Sequence, residues 1–194
     1  MLTERQIEII DKSIDIIATK GIQGLTIKNL SKEIGISEPA IYRHFESKTD
    51  ILLTILGNFE EMSSFMNEAL KDIDDTAIGK IEYMFHKIID IFSIEPSHIS
   101  VVFSEEIFKN EDILKEKIVN MMNAKEKAIE DIILEGQNKG EVRNDIDNKT
   151  LALIVIGALR FRVKQWDLRD QHTNLQNEGQ KLINGLKIIL QNNN

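Results

Sequence analysis

Residues 35–48, GISEPAIYRHFESK, place a glycine, a proline, a tyrosine, an arginine and a histidine close together in a chain that has only 2 prolines. Each residue fits a local need. Gly35 supplies the positive φ that a tight turn after a helix requires. Ser37 can accept from the backbone at a helix start, and Pro39 takes a first-turn position where a missing N–H costs nothing. The stretch therefore reads as a turn followed by a short helix from Ser37 to His44, stiffened at its start. Ahead of it, Thr26 caps another short helix carrying Ile27, Leu30 and Ile34. Behind it, Ser47 with Asp50 forms a capping box that opens a fourth helix. Two short helices joined by a tight glycine turn make the helix-turn-helix pattern, whose second helix can enter a DNA major groove. Ile36 and Ile41 are expected to pack inward against Leu30 and Ile34. Glu38, Pro39, Ala40, Tyr42, Arg43 and His44 are left for the outside or the groove, where the small Ala40 allows close approach.

The rest of the chain repeats its apolar residues at intervals of three and four, with no sustained alternation of period two, so the fold class is all-α with about nine helices. The first helix is expected from about Thr3 to Lys20, with Ile7, Ile10, Ile14 and Ile17 on one face and Gly21 at its stop. The fourth, carrying Leu52, Ile55, Leu56, Phe59, Met62 and Met66, is long enough to link one packed unit to the next. Further helices follow around Ile78 to Phe92, after Pro96, from about Glu111 to before Gly140, near Asn148 to Leu168 and near Leu175 to Leu190. No repeat or low-complexity linker separates them. The expected division is one of function, with residues 1–50 for DNA binding and 51–194 for effector binding and dimerisation.

Charge alone does not announce nucleic acid. The net charge is -8, and it lies mostly after residue 50: residues 1–50 sum to -1 and residues 51–194 to -7, while Thr26 to Lys48 carries +1. Cysteine is absent, which removes disulfides and thiolate chemistry and makes a reducing cytoplasm the natural compartment. The apolar run Leu151 to Leu159 stops at Arg160, well short of the roughly 20 residues needed to cross a bilayer, so no membrane partner is expected. The N-terminus shows no basic segment followed by an apolar export region.

The run 21–52, GIQGLTIKNLSKEIGISEPAIYRHFESKTDIL, resembles the tetracycline-repressor (TetR) type of transcriptional regulator, and the similarity extends from about Ile7 to Leu56. The resemblance implies that Thr26, with Ile27 beside it, meets the DNA phosphates, that Tyr42 and His44 touch the backbone, and that Lys48 does so from the start of the fourth helix. It places Ser37, Glu38, Pro39, Ala40 and Arg43 on the reading helix, with bases read by the last four. Glu38 departs from what phosphates favour. It could accept from cytosine N4 or serve the helix dipole, and the dipole reading is preferred because acidic residues collect in first turns. Arg43 is the stronger base reader, with guanine as the usual partner.

One reading helix contacts few base pairs, so such proteins bind two half-sites about 34–36 Å apart as two-fold dimers, on a palindromic double-stranded operator. The helix from Asn148 is apolar nearly all round and needs cover on more than one side. Leu151, Ile154, Val155 and Ala158, with Leu182, Ile183, Leu186, Ile189 and Leu190 of the last helix, are the expected dimer interface. The resemblance implies that these helices pair with their symmetry mates as a four-helix bundle. A small-molecule effector of unknown class would bind among the middle helices and shift the spacing of the reading helices, with the long fourth helix as the lever. Met62, Met66, Phe85, Phe92, Phe103, Met121 and Met122 are pocket candidates, together with Arg160 and Trp166 for an anionic or aromatic group. Phe108 extends the same aromatic and methionine stripe, although a stripe at helical spacing is more often core. Arg162 shares Arg160's helix, and pairing of both with carboxylates is the plainer reading. Glu105 and Glu106 could suit a cation.

Glu82, His86 and Asp90 share one helix face, yet without cysteine or an HExxH pattern they read as a solvated charged face, and no metal or cofactor is expected. No phosphate-binding loop, nucleophile elbow or dinucleotide fingerprint occurs, so the chain is not read as an enzyme. The reading is a sequence-specific DNA-binding regulator, a repressor released by its effector. Its rival is a helical ligand-binding module whose helix-turn-helix no longer binds DNA.

Overall fold

The computed structural model describes residues 2–73, 75–103, 111–169 and 171–192. Among them the helices are α1 (Glu4–Gly24), α2 (Ile27–Ile34), α3 (Glu38–Tyr42), α4 (Lys48–Lys71), α5 (Ala77–Ile94), a 3-10 turn at Pro96–His98, α6 (Ile99–Val102), α7 (Asp112–Asn138), α8 (Asn148–Asp167) and α9 (Leu175–Leu190). The all-α expectation holds. Among the described residues the sole β-type pairing is an isolated antiparallel bridge between Val142 and Gln191.

Helix ends follow side-chain chemistry. Thr3, Thr26, Thr76, Asp147 and Asn174 each accept from the backbone N–H three residues on, satisfying a donor that the helix leaves orphaned. Ser37 stands at the start of α3 without making that side-chain bond, so Pro39 within the first turn carries the local preference there. Gly35 has φ +79 and closes α2, as the turn demands. Gly21, expected as a stop, is instead a non-helical interruption at φ +67, and helical structure continues to Gly24.

The chain forms two compact units. The first takes the chain up to Glu61 together with Ser97–Val119, and the second takes Met62–Pro96 and Asn120 onward. In the first unit α1 packs on α2 and on α6, and α2 packs on α3. Ile10, Ile14, Ile17, Leu30, Ile41 and Phe45 are buried there, with Ile99 and Leu114 from the returning segment. Ile7 is exposed rather than inward. The inward stripe of α1 runs through Ser13, whose hydroxyl donates to the Ile9 carbonyl at 2.7 Å and so removes the cost of burying it. The returning segment is tied to α4 by Thr49, which donates to Glu111 at 2.6 Å, and by an ion pair of Lys117 with Glu60. Phe59 meets His98 edge to face at 5.1 Å.

In the second unit α5 packs on α9 and α8, and α8 packs on α9. Gly179 of α9 is buried, and a Cβ there would run into Ile89 of α5, so this glycine is what lets the two helices approach. Gly140, at φ +75, turns the chain out of α7, with Glu141 N–H donating to the Gly136 carbonyl at 2.8 Å. Gln137 then donates to the carbonyls of Arg143 and Ile146 at 2.8 and 2.9 Å, fixing the loop that leads into α8.

Candidate nucleic-acid interface and effector-binding interior

The reading helix is set by contacts that lie behind it. Ile41 of α3 and Phe45 just beyond it are buried, which turns Glu38, Pro39, Tyr42 and Arg43 outward. Tyr42 is 53% exposed, with its ring open to solvent. Ala40 and His44 are half-buried, and Ser37 is exposed at the turn. On α2, Thr26 is exposed with its hydroxyl accepting from Asn29 N–H at 3.1 Å, and Ile27 is half-buried beside it. These residues share one short helix-turn-helix, whose exposed side also carries Lys28 and Lys32.

Three supports were not legible from the motif. Asn29 donates from its side chain to the Gly24 carbonyl at 2.8 Å and closes the entry to α2. Gln6 of α1 donates to the His44 carbonyl at 3.3 Å and holds the end of the reading helix from thirty-eight residues away. Thr3-x-x-Gln6 is a capping box that marks the start of α1 and carries no mark of the bond to His44. Lys48 is the third case. Its ammonium donates to the Ile22 carbonyl at 3.0 Å, joining the start of α4 to the end of α1, and burial makes it give up its proton more readily while Glu111 opposes that. At the start of α4, Asp50 N–H donates to Ser47 at 3.1 Å and the Asp50 carboxylate accepts from Glu46 N–H at 3.0 Å, one residue earlier than a capping box would have it.

The pocket candidates separate by burial and by unit. Phe85, Phe92 and Trp166 are buried in the second unit, while Met66, Met121 and Arg160 are half-buried and Met62 and Met122 are exposed. Phe103 belongs to the first unit, and Phe108, Glu105 and Glu106 lie outside the described residues. Trp166 has a structural role, since its indole N–H donates to the Thr173 carbonyl at 2.7 Å, across the connection between α8 and α9. Arg162 pairs with Glu178 at 3.2 Å. Glu82 is taken up by Lys187 at 2.5 Å, which holds its carboxyl below the usual range, and no metal-binding group of three occurs among the described residues.

The interface candidates on α8 and α9 separate in the same way. Leu151, Val155, Ile183, Leu186 and Leu190 are buried within the chain's own core; Ile154 and Ile189 are exposed, with Ala158 and Leu182 half-buried. The outward faces carry apolar residues that the sequence pattern did not single out: Leu153 at 63%, Phe161 at 68% and Ile188 at 68% exposed. Gly157 and Gly185 lie on these faces with nothing within 4 Å of where a Cβ would stand. No described helix is long and apolar enough to cross a membrane.

A helix-turn-helix with an outward reading helix, followed by a helical unit with a bare apolar face, defines a DNA-binding regulator of the one-component kind. Comparison with known proteins agrees. The model of bacterial regulatory proteins of the tetR family matches residues 9–55, and that of the YsiA-like protein C-terminal region matches residues 58–188. The fatty acid metabolism regulator protein of Bacillus subtilis is 25% identical over 173 residues, covering 88% of each chain. The same fold occurs in FadR of Bacillus subtilis, solved in complex with stearoyl-CoA, at TM-score 0.76, 22% identity and coverage of 93% of this chain and 96% of that one. FadR of Bacillus halodurans, a fatty acid degradation regulator, superimposes at TM-score 0.84 with 18% identity and 96% coverage of both.

The chain belongs to the tetR family of bacterial regulatory proteins, with a C-terminal region of the YsiA-like kind. It is a dimeric, ligand-responsive repressor that binds operator DNA, and a helical module without DNA binding is not the favoured reading. The relatives are regulators of transcription, not enzymes.

Proposed function

We propose that this repressor responds to a long-chain fatty acyl compound, a free acid or its thioester, which binds in the second unit and releases the operator. The observation that carries the reading is the YsiA-like match across residues 58–188, together with an alignment of the chain to a fatty acid metabolism regulator over 173 residues, 88% of both lengths. The apolar interior around Phe85, Ile88, Phe92 and Val163 suits an alkyl chain, whose burial stabilises by about 0.8 kcal/mol per CH2.

Residues 1–50 do the DNA binding and 51–194 the effector binding and dimerisation. Arg43, with Glu38, Pro39 and Ala40, reads bases; Thr26, Ile27, Ser37, Tyr42, His44 and Lys48 position the motif on the phosphates. Two copies join through the outward face of α8 and α9, where Leu153, Ile154, Gly157, Phe161, Gly185, Ile188 and Ile189 lie. The protein works in the cytoplasm, and the reading requires no chemical turnover.

Fluorescence anisotropy of the purified protein with DNA upstream of its own gene, beside random DNA and across a salt series, tests this. The expected result is saturable preference for the upstream DNA at two chains per site, a steep negative dependence on salt, and release by palmitoyl-CoA or palmitate. Operator binding that persists at saturating concentrations of both compounds would remove the acyl effector while leaving the repressor.

A further inference from the structure

The reading helix α3 has few hydrogen bonds of its own to hold it. It spans 5 residues, its N-cap Ser37 makes no side-chain bond, and Ile41 N–H reaches the Ser37 carbonyl only at 3.4 Å. A helix that short does not persist alone, so its direction is set by what touches it from outside. The buried Ile41 and Phe45 fix its depth against the core of the first unit. Apolar burial is non-directional, however, and defines the angle of a helix less sharply than a hydrogen bond does.

A directional contact stands at the far end of the helix. The His44 carbonyl, which receives no backbone N–H among the described residues, accepts from Gln6 Nε2 at 3.3 Å. Gln6 is half-buried, and its amide is held from the other side as well: the Thr3 N–H and the Thr3 hydroxyl donate to Oε1 at 3.0 and 3.1 Å. That network decides which way the amide faces, because the reverse orientation sets oxygen against the His44 carbonyl and NH2 against the Thr3 N–H. One side chain thus joins the first turn of α1 to the end of the reading segment, across 38 residues and within one unit.

We propose that Gln6 is a positioning residue for DNA recognition, setting the angle at which the reading helix meets the bases without itself touching them. It rests on the reading of residues 37–44 as the segment that enters the groove. Paired hydrogen bonds to a base edge need their side chain placed to within about 0.5 Å, whereas contacts to the phosphates carry no sequence information and form on any duplex. Loss of the tie to His44 therefore lowers discrimination between sequences and leaves DNA binding as such in place.

The probe is a duplex that the wild-type protein selects from a randomised pool, set beside a scrambled duplex of the same length and read by fluorescence anisotropy. Gln6→Met removes both halves of the amide. Gln6→Glu keeps an acceptor for Thr3 and loses the donor to His44. Both variants are expected to bind the selected duplex about 3- to 10-fold more weakly and the scrambled one within about 2-fold of the wild type. Thr3→Val separates this role from plain stability. It weakens the same helix cap and keeps the bond from Gln6 to His44, so it is expected to lower the melting temperature with the preference unchanged.

Unchanged preference in both Gln6 variants would overturn the proposal. So would an equal loss on the two duplexes, or a loss in Gln6→Glu alone, which marks repulsion of DNA by the new charge. Arg43→Ala, measured on the same pair, tests the reading beneath it. No effect of Arg43→Ala beside lost preference in both Gln6 variants would discard Arg43 as the base reader and keep Gln6, acting on another residue of the same segment. Lost preference from Arg43→Ala alone would do the reverse, and a pool that yields no preferred duplex would end both.

Discussion

Arg43 is exposed at the end of the reading helix, one residue past Tyr42, with its backbone fixed by the burial of Ile41 and Phe45. Arg43→Ala should weaken operator binding by about 1–3 kcal/mol and relax preference at one base position, with little effect on random DNA. Anisotropy with both DNAs checks it, and equal losses on the two would make Arg43 a phosphate contact. Lys48 makes a different prediction because its ammonium already holds the Ile22 carbonyl. Lys48→Met should lower stability by about 1 kcal/mol even without DNA, as measured by denaturant unfolding. The caps and turns of this motif were legible because Thr26 and Gly35 act on their own neighbours. The tie from Gln6 to His44 and the bond from Lys48 to Ile22 join residues far apart in sequence, where no local spacing announces them.

Helices show where periodicity stops informing. On α1 the pattern of isoleucines suggested Ile7 as inward, whereas the buried face runs through Ser13, a polar residue satisfied by its own helix. On α8 leucine, isoleucine and valine occupy almost every side, so the pattern could not say that Leu151 and Val155 face the core while Leu153 and Phe161 face out. The pairing of α5 with α9 is testable through Glu82 and Lys187. The hydrogen bond from Lys187 holds the Glu82 carboxyl below its ordinary value, so the pair's stabilisation is present above the usual glutamate range and is lost as pH falls through the lowered value. Melting temperatures of the wild type and Lys187→Met should therefore differ at neutral pH by an amount corresponding to about 0.5–1 kcal/mol, and converge in acid. Gly179→Ala forces a methyl group against Ile89 and should destabilise by about 1–3 kcal/mol in thermal unfolding.

At the scale of the whole molecule, the outward glycines separate the needs of one chain from those of two. Gly157 and Gly185 face open space, so alanine at either would favour the helix by about 1 kcal/mol in an isolated chain. If a second chain approaches there, the same methyl groups obstruct it. Gly157→Ala with Gly185→Ala should thus raise the dissociation constant of the dimer, and Phe161→Glu should yield monomer, both read by sedimentation equilibrium. Retention of a tight dimer by Phe161→Glu would move the interface elsewhere. The single-chain sequence carried this face only as an excess of apolar residues, because the partner that covers it is another copy of the same string. A final consequence comes from the way the first unit is assembled from two stretches of chain, with Ile99 and Leu114 of the later stretch buried in it. A gene cut after residue 61 would encode a reading head missing part of its own core. Exchanging such heads alone between regulators by recombination therefore requires three crossovers, one at each boundary between the interleaved stretches, and a fragment ended at the first boundary is expected to be found in the insoluble fraction of a cell extract.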